Sequence, residues 1–120
     1  MKDESADLIY RGIKYPLVFN INVMTLIQEK YGSFQEWANL ILRDNGETDL
    51  KSLVFGTWAM MNEGIDIHNE TAEENKKLKP LTEKQVGRIL TEVGIEASTD
   101  KLLNLVADST KPAGDQPKNE

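Results

Sequence analysis

Apolar residues along this chain fall first into two short runs and then into repeats at helical spacing. Leu8-Ile9-Tyr10 and Tyr15-Pro16-Leu17-Val18-Phe19 are separated by Arg11-Gly12-Ile13-Lys14. Gly12 supplies a positive φ for a turn, so residues 7–19 are predicted to form a β-hairpin. Pro16 cannot donate to a ladder, which assigns its strand to an edge. A two-stranded hairpin is marginal alone in water, so this one must rest on helices or be completed by another chain.

Helical signals follow. Asn20 or Asn22 caps a first helix that runs to Tyr31 with Met24, Ile27 and Tyr31 on one face, and Gly32 is placed to end it. Ser33-Phe34-Gln35-Glu36 reads as a capping box. Behind it, Phe34, Trp37, Ala38, Ile41 and Leu42 give an amphipathic second helix that stops at Asn45-Gly46. Thr48 or Asp49 caps a third helix, predicted to end near Gly64, whose main stripe is Leu50, Leu53, Val54, Trp58 and Met61. Phe55, Ala59 and Met60 spread apolar character to its other faces, as in a central core helix or one that also meets a partner. Residues 65–79 lose the pattern and read as a long loop. Thr82-Glu83-Lys84-Gln85 is a second capping box, with Leu81 and Val86 as its staple. Val86, Ile89, Leu90 and Val93 form the buried face of a fourth helix, and Gly94 ends it. Ser98 or Thr99 caps a short fifth helix carrying Leu102, Leu103 and Val106. The expected fold is therefore mainly α: one domain over residues 1–108, with about five helices and a short N-terminal β-hairpin. Residues 109–120 hold Pro112, Gly114 and Pro117 with almost nothing apolar, and read as a disordered tail.

Composition narrows the function. The chain has 120 residues, 39% of them hydrophobic, enough for one modest core. It has no cysteine, which removes disulfides and thiolate metal sites. The formal net charge is −6 and the basic residues form no stripe, so a phosphate backbone would be repelled at long range and no nucleic-acid partner is expected. No apolar run approaches the roughly 20 residues of a membrane helix. The first residues, Met1-Lys2-Asp3-Glu4-Ser5, are too polar for a signal peptide, and a cytoplasmic location follows as the expectation. The acidic run from Glu63 to Glu74 reads as a solvated loop.

Candidate chemistry adds little. Asp66, His68 and Glu70 alternate like metal ligands, but a selective site needs three or four rigidly held ligands and these fall in the predicted loop. No serine sits in a nucleophile elbow, and the carboxylate pair Glu73-Glu74 has no apolar surroundings to raise a pKa. No catalytic residue, metal site or cofactor is assigned. Gly32, Gly46, Gly64 and Gly94 are explained as helix stops, but Gly56 lies inside the apolar helix, where it costs about 1 kcal/mol relative to alanine. It marks close helix packing or a groove for another chain. Trp37 and Trp58 read as core. Met60 and Met61 cannot both lie on one stripe, so at least one is expected near the surface. The residual face of Phe55, Gly56, Ala59 and Met60 is the candidate partner-binding surface.

The order of these segments resembles a known family. A strand pair enters a helix through Lys14-Tyr15-Pro16-Leu17-Val18-Phe19-Asn20-Ile21-Asn22, and glycine follows that helix in Glu29-Lys30-Tyr31-Gly32-Ser33. The apolar helix Leu50-Lys51-Ser52-Leu53-Val54-Phe55-Gly56-Thr57-Trp58-Ala59-Met60-Met61 comes next, and Leu81-Thr82-Glu83-Lys84-Gln85-Val86-Gly87 opens another. From Leu8 to Val106 the chain is similar to the tail assembly chaperones of long-tailed bacteriophages and prophages. The resemblance implies a non-enzymatic protein of the bacterial cytoplasm, absent from the finished virion. Its partners would be the helical tape measure protein, which it keeps soluble, and the tail-tube subunits. Many genes of that family carry a programmed frameshift that adds a C-terminal extension, and residues 109–120 fit a tether at such a junction or an ordinary frayed end. Self-association fits both the edge strand and the family.

Two other readings stay open. One is a structural tail or head–tail connector protein. The other is a small DNA-binding regulator using Lys84, Arg88 and Lys101, although Glu83, Glu92 and Glu96 lie among them.

Overall fold

The computed structural model describes residues 5–42 and 46–109. Two strands, β1 (Ser5–Tyr10) and β2 (Ile13–Val18), pair antiparallel from Ser5–Val18 to Tyr10–Ile13. The connection is two residues long, and Arg11 (φ +52°) and Gly12 (φ +79°) both take positive φ, as a type I′ turn requires. Ladder bonds alternate outward from such a turn, so the Asp7–Pro16 pair falls at a position where neither residue bonds across the ladder. Pro16 therefore sits in the strand without breaking a bond. Leu8 and Leu17 on the inner face are buried, while Ile9 on the other is 63% exposed.

Helix α1 (Ile21–Tyr31) starts at Asn20, whose side chain accepts from the Val23 amide, and ends at Gly32 with φ +92°. Its buried residues are Val23 and Ile27; Met24, expected on that face, points outward. Helix α2 (Phe34–Ile41) is capped by Ser33, which accepts from the Glu36 amide, so only the serine half of the expected box forms. It ends at Ile41, short of the predicted stop; Asn45 lies outside the described residues, and Leu42 is 57% exposed.

The third helix departs furthest from expectation. Helix α3 spans Leu50–Thr71, capped by Asp49, and runs past Gly64 for two further turns. Gly64 does not end it, because its missing side chain serves packing. A Cβ there would stand 2.5 Å from the Pro16 carbonyl oxygen, so glycine lets β2 lie directly on the helix. Ile65, fully buried, continues the apolar face beyond that crossing. Gly56 acts similarly on α2, since a Cβ would collide with the Trp37 indole. Glu63 accepts from Asn20 (2.8 Å) and Asn22 (2.9 Å), which joins the middle of α3 to the start of α1.

The segment predicted as a loop is short and pinned. After a 3₁₀ turn at Glu74–Lys76, the chain returns along α3. Asn69 donates to the Leu78 carbonyl (2.8 Å) and accepts from the Leu78 amide (2.9 Å). Asn62 repeats the pattern with Leu81 at 2.9 and 2.8 Å. Helix α4 (Glu83–Val93) then starts at Thr82 with a complete capping box to Gln85 and buries Val86, Ile89 and Leu90. Helix α5 (Ile95–Ser109) begins directly after Gly94 rather than at Ser98 or Thr99. Ser98 is fully buried inside it and its hydroxyl has no partner. Ser109, expected in the tail, is its last residue, and residues 110–120 lie outside the described residues. The fold is thus mainly helical, with five α-helices and the N-terminal hairpin among the described residues. Its core runs through α3, with Leu8, Leu17, Trp37, Leu53, Met60, Met61, Ile89 and Leu102 nearly or fully sealed from solvent.

Candidate partner-binding surface

Helix α3 presents two kinds of apolar face, and the structure places the face read as a candidate contact surface in the core. Phe55 (8% exposed), Ala59 (2%) and Met60 (0%) are core residues, and Gly56 is buried against Trp37. None of the four forms an outward contact face. Their surroundings explain why: α1, α2 and β2 all pack on α3, so a helix apolar nearly all round is enclosed nearly all round. Met60 and Met61 are both fully buried for the same reason, against the expectation that one would reach the surface.

The predicted core stripe instead divides. Leu53 and Met61 are buried, but Leu50 is 54% exposed, and Val54 and Trp58 are half-buried. Leu50, Val54 and Trp58 are spaced four residues apart and share one side of the helix. The row continues into Asn62, and Asn69 lies two turns further on the same face, where the 78–81 segment runs alongside. At the junction, the Trp58 indole N–H donates to the Leu81 carbonyl at 2.9 Å, the acceptor that Asn62 also uses. The chain's own backbone covers the row from Trp58 onward; ahead of it Leu50 is exposed and Val54 is half-buried against the core. Beside this part, Tyr31 meets Phe55 and Phe55 meets Trp58 at centroid distances of 5.8 and 5.5 Å. The Lys30 ammonium lies over the Phe55 ring at 4.8 Å. The result is a short apolar strip on α3, flanked by the Tyr31–Phe55–Trp58 aromatic row and the Lys30 ammonium.

The other candidate chemistry disperses. His68 Nε2 lies 3.0 Å from the Lys76 carbonyl oxygen, and the helical turn carrying it belongs to α3 rather than to a loop. Among the described residues no group of three His, Asp or Glu side chains could hold a metal ion. Lys101, considered for phosphate contact, donates to the Asp7 carbonyl at 2.8 Å and fastens α5 to β1. Among the described residues no helix is long and apolar enough to cross a membrane.

The Asn62 and Asn69 clasps escaped the sequence reading. Their signal was present: two asparagines two helical turns apart on one face, each with a donor and an acceptor to offer an extended backbone. It is seen only once α3 is known to continue past Gly64.

No protein-family model, curated protein or solved structure matches this chain.

Proposed function

We propose that this protein is a phage tail assembly chaperone, which holds the helical tape measure protein in solution and assists the recruitment of tail-tube subunits around it. The observation that carries the reading is the start of the α3 row, where Leu50 is exposed ahead of the half-buried Val54 and no returning segment is clasped to it. Leu50 and Val54 lie in line with a surface that elsewhere receives a peptide segment, and Trp58 borders them. A tape measure protein exposes apolar helix faces before it is enclosed, and such a face laid beside Leu50 and Val54 would bury apolar area on both sides. The net charge of −6 would keep the complex dispersed. Many copies on one long client would act by avidity, so each contact need only be weak. The resemblance of residues 8–106 to such chaperones supplies the identity of the client. In this reading the protein acts in the bacterial cytoplasm, uses no catalytic group and leaves before the virion is complete.

Co-expression with the tape measure protein of the same genome tests the proposal. The client is expected in the soluble fraction with the wild-type chain, and largely in the pellet with a Leu50→Asp, Val54→Asp double variant that still folds. A client equally insoluble with and without the wild-type chain would overturn it. Mass spectrometry of purified particles separates this reading from a structural tail component, which would be present in the virion.

A further inference from the structure

A second site stands apart from the α3 row, where the hairpin tip meets α4. Tyr10, Arg11, Tyr15, Leu81, Gln85, Arg88 and Ile89 line an open cleft of about 390 Å³. Its two charged groups are both donors, and the Tyr10 and Tyr15 hydroxyls can donate as well as accept. Arg11 and Arg88 are exposed, and among the described residues neither forms an ion pair or a hydrogen bond. Gln85 spends its carbonyl oxygen on the Thr82 amide of the capping box, which leaves its NH₂ to donate. The Leu81 carbonyl is already taken by Trp58 and Asn62. Thus a chain with 20 acidic side chains assembles two guanidiniums around one cleft with no carboxylate lining it.

The backbone points the same way. Arg11 occupies the first central position of the type I′ turn at φ +52°, a place suited to asparagine, aspartate or glycine. Residues held in such a conformation cluster where a side chain has work to do. The Arg11 guanidinium stacks over the Tyr10 ring, 5.1 Å from its centroid, which steadies the group and keeps its edge free to donate. The rest of the cleft offers the half-buried Tyr10, Tyr15 and Leu81 side chains, with the core residue Ile89, 2% exposed, behind them. A bare inorganic anion would use the guanidiniums and waste that surface.

We infer that this cleft binds a peptide-borne carboxylate with an apolar side chain next to it, the carboxylate meeting Arg11 and Arg88 and the apolar group resting on Leu81 and the rings of Tyr10 and Tyr15. The planar fork of a guanidinium matches a carboxylate, and the cleft has the volume of an ordinary small-ligand pocket. The carboxylate comes either from the end of a chain or from a Glu or Asp side chain. This inference does not rest on the chaperone reading, because no residue of α3 lines the cleft; Leu81, which the α3 row clasps, contributes only its side chain here.

Calorimetry with the full chain and three acetylated hexapeptides tests it. One ends in leucine with a free carboxylate, one carries Glu-Leu internally and is amidated, and the third carries Gln-Leu and is amidated. Binding of the first alone assigns a chain terminus, and binding of the second assigns an acidic side chain. The Gln-Leu peptide is expected to bind at least roughly tenfold more weakly than whichever carboxylate peptide binds. Arg88→Gln and Arg11→Asn should each weaken that peptide by a similar factor. Arg11→Asn should at the same time raise the unfolding midpoint, since asparagine tolerates the left-handed turn. Binding of neither carboxylate peptide, equal binding of the Gln-Leu peptide, or inorganic phosphate competing as well as the peptides would each overturn the inference.

Discussion

The two tryptophans make the same hydrogen bond in different places. Trp37, on α2, is fully buried and donates to the Ser52 carbonyl at 2.9 Å. Trp58, on α3, is half-buried and donates to the Leu81 carbonyl at 2.9 Å. Each anchors an aromatic row: Phe19, Phe34 and Trp37 with centroid spacings of 5.5 and 5.4 Å, and Tyr31, Phe55 and Trp58 with 5.8 and 5.5 Å. The indole N–H is satisfied in both, so hydrogen bonding does not set them apart. The difference lies in what covers the ring. The Trp37 indole fills the space that Gly56 leaves on α3, and nothing there is left for a partner. Trp58 is covered on one side by the returning backbone, and no returning segment is clasped to the row of α3 residues before it. One row consolidates the fold, and the other ends at the edge where the proposed client surface starts.

Substitutions can break this contrast. Trp37→Ala should cost about 3–5 kcal/mol in urea-induced unfolding, as for a large core side chain. Trp58→Ala should cost less, since the ring is only partly buried and Leu81 keeps its bond from Asn62; equal losses would erase the distinction between the rows. Gly64→Ala sets a new methyl against the Pro16 backbone, which cannot rotate away, and should cost roughly 1–3 kcal/mol. An unchanged melting temperature would show that β2 does not rest on α3 as described. Asn62→Ala orphans the Leu81 amide and should cost about 1–2 kcal/mol, and faster hydrogen exchange at Leu81 would mark the site of the loss. The smallest effect belongs to Leu50→Ser, expected within about 0.5 kcal/mol of wild type, while binding of the client weakens. A Leu50→Ser variant that unfolds easily would place Leu50 in the core after all.

What could be read from the sequence follows the range of each interaction. Helix starts and stops are local, and Asn20, Gly32, Ser33, Asp49, the Thr82–Gln85 box and Gly94 all stand where local chemistry puts them. Gly64 misled because glycine signals a helix end and a close crossing with the same residue, and only β2 on top of it decides between them. The inward direction of α3 was equally hidden. A helix with apolar residues on every side carries no periodic contrast, so Leu50 and Met60 exchange roles once the neighbours are in place. The Arg11–Arg88 cleft pairs positions distant in sequence, and nothing around either residue announces the other. Ser98 shows the reverse error, a good cap residue sealed inside a helix with its hydroxyl unpartnered.

The clasps along α3 also act as a ruler. From Asn62 to Asn69 the helix advances seven residues, about 10.5 Å at its usual rise, and from Leu78 to Leu81 an extended chain covers about the same length in three residues. The two repeats agree, which is why both asparagines can hold a backbone amide and carbonyl at once. Lys79 and Pro80, both exposed, are therefore free in side chain but fixed in number. Replacing either by another residue that accepts an extended backbone should pass unnoticed. Adding or deleting a single residue between Leu78 and Leu81 should put one clasp out of step with the other, although the change falls on the surface of the protein.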